Sequence, residues 1–144
     1  MPRKEITTTI KQEIAFNTQN ITTSTTTVGN VIDTAAFNGG VNVAFSIGTR
    51  TDGTYTPLIE ESNSSGSGFT AVADGDLVPQ DPSITSVAAE AQAALVASNT
   101  QSKIGYIGTK QYIRVSFVST TVTSGATGLA AMAMKLGDVE PVGV

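Results

Sequence analysis

The sequence predicts an all-β chain, an antiparallel sandwich or barrel, and three observations carry that prediction. Thr and Ser make up about a quarter of the 144 residues and Gly contributes 14. A branched Cβ suits a pleated surface, while Gly and Ser supply turns. Short runs alternate apolar and polar residues with period 2, and turn signals recur at intervals of about 8–12 residues. Nothing repeats at a fixed longer period, which argues against a solenoid or propeller.

Taken in order, the first residues mix bases and isoleucines. Ile6, Ile10 and Ile14 are spaced for a helix face, but Thr7 to Thr9 lower helix propensity. The segment is expected to be an extended arm leading into a strand near residues 11–16. Residues 21–28, five of them Thr, predict an exposed strand or ribbon. Gly29-Asn30 reads as a turn before a short strand at residues 31–34.

The best strand is Val41-Asn42-Val43-Ala44-Phe45-Ser46-Ile47, whose odd positions are all large and apolar. Asp52-Gly53 marks a turn. Residues 55–61 return as a partner strand, and Pro57 assigns it to an edge or a bulge, since proline has no N–H for the ladder.

Asn63 to Gly68 is loop by composition, and Phe69 to Val72 resumes a strand. Asp74-Gly75-Asp76 turns again. The Ala-rich stretch 84–97 is expected to hold a short helix, an irregular crossover with a small strand being the other reading. Residues 102–107 and 112–118 are strands, the second with Ile113, Val115 and Phe117 on one face. Gly128 to Leu136 is a last strand with Met132, Met134 and Leu136 aligned, read as core filler. The expected organisation is an arm and first strand at 1–20, a sandwich at 21–137 and a tail at 138–144.

Composition removes much chemistry. The chain has no Cys, no His and no Trp. That excludes a Ser-His-Asp triad, a Cys-His pair and the usual zinc sites. An enzyme would have to work with carboxylates, Lys, Tyr or Ser alone, so the expectation is a protein without catalytic residues, cofactor or metal. Charged residues are 14%, against about 25% in an average domain. A net charge of −4 argues against nucleic acid as a partner. No secretory signal or membrane-spanning run is read in the sequence.

Individual clusters read blandly. Asp74, Asp76 and Asp81 miss the spacing and closing Glu of a calcium loop. Glu60 and Glu61 are neighbours in a strand and point to opposite faces, which does not make an acid–base pair. Gly48 to Gly53 lacks the Lys-Ser/Thr ending of a phosphate loop.

Charge is nevertheless segregated. Seven acids and no base lie between Thr51 and Ser102, while Arg3, Lys4 and Lys11 gather at the start. That arrangement suits docking between unlike surfaces. The arm residues Arg3, Lys4, Ile6, Ile10 and Lys11 are the expected partner-binding residues, the arm reaching a neighbouring subunit. The competing reading has the arm fold back as an edge strand of its own sandwich.

Two blocks carry a resemblance. One is Thr51-Asp52-Gly53-Thr54-Tyr55-Thr56-Pro57, following a buried strand. The other is Gly105-Tyr106-Ile107-Gly108-Thr109-Lys110-Gln111-Tyr112-Ile113-Arg114. With the segments between them, covering most of residues 30–136, they resemble the capsid cement or decoration proteins of tailed bacteriophages. Many such proteins end in a His-rich tail, which Gly137 to Val144 is not.

The resemblance implies a jelly-roll-like β-sandwich on the capsid exterior of a virion, made in the host cytoplasm. It would bind the major capsid protein, bridge neighbouring subunits, and pair with itself as a dimer or trimer, without direct contact to nucleic acid or membrane. A tail or head-fibre component and a carbohydrate-binding sandwich are the alternatives. The second is weakened by the absence of Trp, since sugar-stacking platforms are aromatic.

Overall fold

A computed structural model describes residues 10–35, 37 and 40–137. Nine strands form two antiparallel sheets: β1 (Ile10–Ile21), β2 (Thr26–Asp33), β3 (Val41–Ser46), β4 (Thr54–Ser62), β5 (Thr70–Ala71), β6 (Leu77–Val78), β7 (Gln101–Tyr106), β8 (Tyr112–Thr120) and β9 (Ala126–Leu136). The five-stranded sheet runs β1-β9-β3-β7-β6 and the four-stranded sheet β2-β8-β4-β5. One helical turn, α1 (Ala89–Gln92), lies outside both sheets. The fold is an antiparallel β-sandwich.

Alternation explains which side chains fill it. Val43, Phe45, Ile47, Ile113, Val115 and Phe117 all point inward and are buried, as their period-2 spacing predicts. At the centre Phe117 meets Phe16 edge-on at 4.9 Å and Phe45 at 5.8 Å, a favourable geometry for aromatic pairs.

The phase of β9 corrects the sequence reading. Its inward residues are Leu129, Ala131 and Ala133, so Met132, Met134 and Leu136 face away from the core. The reason is space. Ala131 stands opposite Phe16 on one neighbour and Phe45 on the other, and a small residue is what two flanking Phe side chains leave room for.

Two further expectations are corrected, and the short helix expected within 84–97 is present. Residues 21–28 are not one strand: β1 ends at Ile21, the chain bends through Thr23 to Thr25, and β2 begins at Thr26. The hydroxyl of Ser119 fixes that bend, accepting from the Thr25 N–H and lying 2.8 Å from the carbonyls of Thr23 and Thr25. The helix expected within 84–97 is a single turn. Beyond it Leu95 pairs with Tyr55 through two backbone hydrogen bonds, the small strand pairing of the other reading.

Gly29-Asn30 is not a turn but lies within β2, at a register shift between Val28 and Val31. A Cβ at Gly29 would sit 2.4 Å from the Val115 carbonyl oxygen and 2.5 Å from that of Ala15. Next to it, the Asn30 side-chain amide donates to the Ile14 carbonyl at 3.0 Å. This dipeptide closes the side of the sandwich, where the edge strands of the two sheets meet.

Pro57 sits as its chemistry requires. Its strand neighbours of like parity, Tyr55 and Ile59, turn their backbone groups away from β8, toward Leu95 and Val72. The missing N–H therefore falls on the outer side of β4, which β5 covers only at Glu60 and Glu61.

Candidate docking surfaces

The two blocks that carry the resemblance fasten opposite ends of the sandwich. In the first, the Asp52 carboxylate accepts the backbone N–H groups of Thr123, Ser124 and Gly125, at 2.8 Å from the last two. Those donors, Gly125 foremost, hold its pKa below the ordinary value. Asp52 thus ties the β3–β4 connection to the β8–β9 connection. Tyr55, fully buried, returns its hydroxyl to the Asp52 carbonyl at 3.1 Å.

The second block works at the far end. Tyr106 is buried, donates its hydroxyl to Glu61 Oε2 at 2.7 Å and accepts the Lys110 N–H at 3.1 Å. Glu61 continues the inward row of β4 and Tyr106 that of β7, so this bond joins the two sheets. Burial, then the bond to Glu61, pushes the phenol pKa up. Gly108 lies flat on the ring: a Cβ there would stand 2.6 Å from it.

Lys135, which the sequence reading passed over, is almost wholly buried at the same end. Its ammonium lies 2.7 Å from Glu13 Oε2, donates to the Asp33 carbonyl at 2.9 Å and sits 4.7 Å over the Phe37 ring. A buried ammonium is tolerated when its protons are used this way. Its signal in the sequence was its place in the inward parity of β9, legible only once the phase of that strand is known.

Glu60 and Glu61 point to opposite faces, as neighbours in a strand do. Glu60 receives two hydrogen bonds from Arg114, at 2.9 and 2.7 Å, while Glu61 takes the Tyr106 hydroxyl. Among the described residues no three His, Cys, Asp or Glu side chains converge to hold a metal ion. An open cleft of about 670 Å³ at the Tyr106 end is lined by Thr34, Asn63, Thr109 and Gln111, with Lys110 as its charged side chain. No helix of the described residues is long and apolar enough to cross a membrane.

What remains is surface, and the two outer faces differ. The four-stranded sheet turns outward the Arg114–Glu60 ion pair, with the guanidinium 4.5 Å over Phe69, among Thr and Ser side chains and the apolar Val28, Val31, Leu58 and Val118. The five-stranded sheet turns outward Ile10 and Ile14 of β1, then Ala130, Met132, Met134 and Leu136 of β9. Asn42 and Ala44 of β3 and Lys103 of β7 follow. Ile14 is 55% exposed, Met132 and Leu136 41% each. Two shallow troughs of about 390 and 330 Å³ run across this face.

Of the residues expected to bind a partner, Ile10 and Lys11 lie in β1, paired with Leu136 and Lys135 of β9. From Ile10 onward the arm is therefore the edge strand of its own sandwich, and only Ile10 shares the apolar face. Arg3, Lys4 and Ile6, like the tail at 138–144, lie outside the described residues. In comparisons with known proteins, no family model and no curated protein matches the chain.

Proposed function

We propose that this chain is a structural virion protein. It binds the outer surface of an icosahedral phage head and cements neighbouring major capsid protein subunits against the pressure of packaged DNA. One observation carries the reading: the two blocks that resemble cement proteins are both spent on fastening the sandwich, Asp52 at one end and Tyr106 at the other. A cement protein needs a stiff body that repeats one modest contact at many equivalent sites, because many weak contacts acting together hold a lattice.

The rest of the molecule is consistent with that role. The net charge of −4 disfavours nucleic acid, and the apolar sheet face offers a surface for protein. A jelly-roll-like connectivity belongs to the same proposal.

The test is a particle made without the protein. Heads should still assemble, but should release DNA at a lower temperature than complete heads, and added protein should restore the difference. Equal resistance to heat and chelator in depleted and complete particles would overturn the cement reading in favour of a tail or head-fibre component. Specific binding on a glycan array would favour the sugar-binding one.

A further inference from the structure

We propose that Asp74-Gly75, in the connection before β6, is a site of spontaneous covalent modification, where the folded chain converts aspartate to isoaspartate. The inference does not depend on the virion reading. The chain has two Asp-Gly pairs, this one and Asp52-Gly53, and both read in the sequence as turns. Both have the chemistry for the reaction, because a glycine has no Cβ to shield its own nitrogen. The fold leaves one pair open and locks the other.

The step is a dehydration followed by a hydration. The Gly75 nitrogen, giving its proton to solvent, attacks the Asp74 side-chain carboxyl carbon. The N–C bond forms, a C–O bond breaks, and one water leaves a five-membered imide. Water then adds back at either imide carbonyl. At the side-chain carbonyl it restores aspartate, and at the main-chain carbonyl it leaves the chain running through the side chain, as isoaspartate. No atom is gained or lost overall, and nothing is oxidised or reduced.

Asp74 and Gly75 are exposed, and a Cβ built on Gly75 would meet nothing within 4 Å. Neither the Asp74 carboxylate nor the Gly75 N–H has a hydrogen-bond partner among the described residues. A single 3₁₀ turn at residues 74–76 holds the pair, with the Asp76 N–H on the Ala73 carbonyl at 2.9 Å and the Leu77 N–H on that of Asp74. Rotation at Asp74 to close the ring costs the second of these bonds, a local opening at the surface.

At Asp52 the same step is opposed twice. Its carboxylate holds the Thr123, Ser124 and Gly125 N–H groups, and those donors favour the charged form, whose oxygen cannot leave as water. Gly53 is buried with φ at 84°, and a Cβ there would stand 2.6 Å from the Val122 side chain, so the backbone has no room to turn. Giving up even one hydrogen bond to a charged group slows a reaction about tenfold. Conversion at Asp74 lengthens the main chain by one methylene shortly before Asp76, whose carbonyl accepts the Ile107 N–H at 2.9 Å, and before Leu77 and Val78, the whole of β6. The edge of the five-stranded sheet is where the change is felt.

The test ages the full chain at neutral pH, folded and in urea, and locates isoaspartate by isoaspartyl methyltransferase labelling and peptide mapping. In the folded chain residue 74 should convert at least about tenfold faster than residue 52. In urea the two should convert at similar rates, since each precedes Gly and follows a small uncharged residue, Ala73 or Thr51. Gly75→Val puts a branched side chain beside the nitrogen in open space, and should suppress conversion at residue 74 with an unchanged melting temperature. Folded-state rates at residues 52 and 74 within about twofold of each other overturn the proposal. So does an Asp74 that stays unconverted in the folded chain while the unfolded chain reacts, which would show that the turn protects it.

Discussion

At one end of the sandwich a half-buried carboxylate, Asp52, gathers three consecutive backbone N–H groups. At the other, a buried phenol meets a carboxylate across the sheets and a buried ammonium meets a second one. Both ends bring loops and sheets together, yet their chemistry differs in what water can do to it. The Asp52 carboxylate gives up its proton more readily than a free one, because the Gly125, Ser124 and Thr123 N–H groups favour its charged form. The buried phenol holds its proton well past the alkaline range in which an exposed one loses it. The comparison teaches that the Asp52 and Tyr106 fastenings fail at opposite extremes of pH.

Substitutions can break or sharpen that contrast. The scale is set between the ends, where Phe117→Ala should cost roughly 3–5 kcal/mol, because the Phe16 and Phe45 rings lose their shared partner. A denaturant titration with less than about 1 kcal/mol of change would show that the middle layer repacks instead.

Tyr106→Phe should cost about 1–2 kcal/mol at neutral pH, since Glu61 loses its donor and the Lys110 N–H its acceptor while the ring keeps its packing. The sign follows from the raised phenol pKa. Folded Tyr106 keeps its proton where the unfolded chain, near pH 10, gives it up, so the wild type should lose stability above that pH. The phenylalanine variant should lose less. Parallel pH–stability curves for the two proteins above pH 10 would remove Tyr106 from the account.

Asp52→Asn is expected to have the smallest effect, and one that depends on pH. The folded pKa lies below the unfolded one, so the contribution is present above the unfolded value of 3.8 and fades as pH falls through the folded value. Melting temperatures of the variant and the wild type should differ at pH 7 and converge as pH falls below the folded value. A gap that persists in acid would mean that the amide disturbs the loop rather than removing a charge.

The strands were legible in the sequence wherever alternation was strict. Val41 to Ile47 and Tyr112 to Val118 each show one apolar face, and both lie where that pattern puts them. Where both faces carry apolar residues the phase is not legible. Residues 129–136 alternate between Ala and Met or Leu, and hydrophobicity alone favours the larger set as the core. The structure chooses the alanines, because Phe16 and Phe45 already fill the space beside Ala131.

Gly29-Asn30 misleads for a related reason. Glycine serves turns and close approaches alike, and its neighbours in the chain do not say which carbonyls will press on it. The candidate surface was least legible of all. An outer face is defined by strands distant in sequence, and β1 and β9 sit side by side at opposite ends of the chain.

That adjacency also bears on how the chain folds. β9 lies between β1 and β3, so β1 has no ladder partner until a strand more than a hundred residues later is made. The four-stranded sheet and the β3–β7–β6 ladder can form before it. Closing a loop of more than a hundred residues is a slow and late event. Until it happens β1 keeps an unsatisfied edge, with Ile10, Ile14 and Phe16 unpacked beside it. Nascent chains are therefore most prone to aggregate in the interval before Leu136 emerges, and loss of β9 should cost the layer two strands rather than one, because β1 is left without a partner while β3, β7 and β6 stay paired.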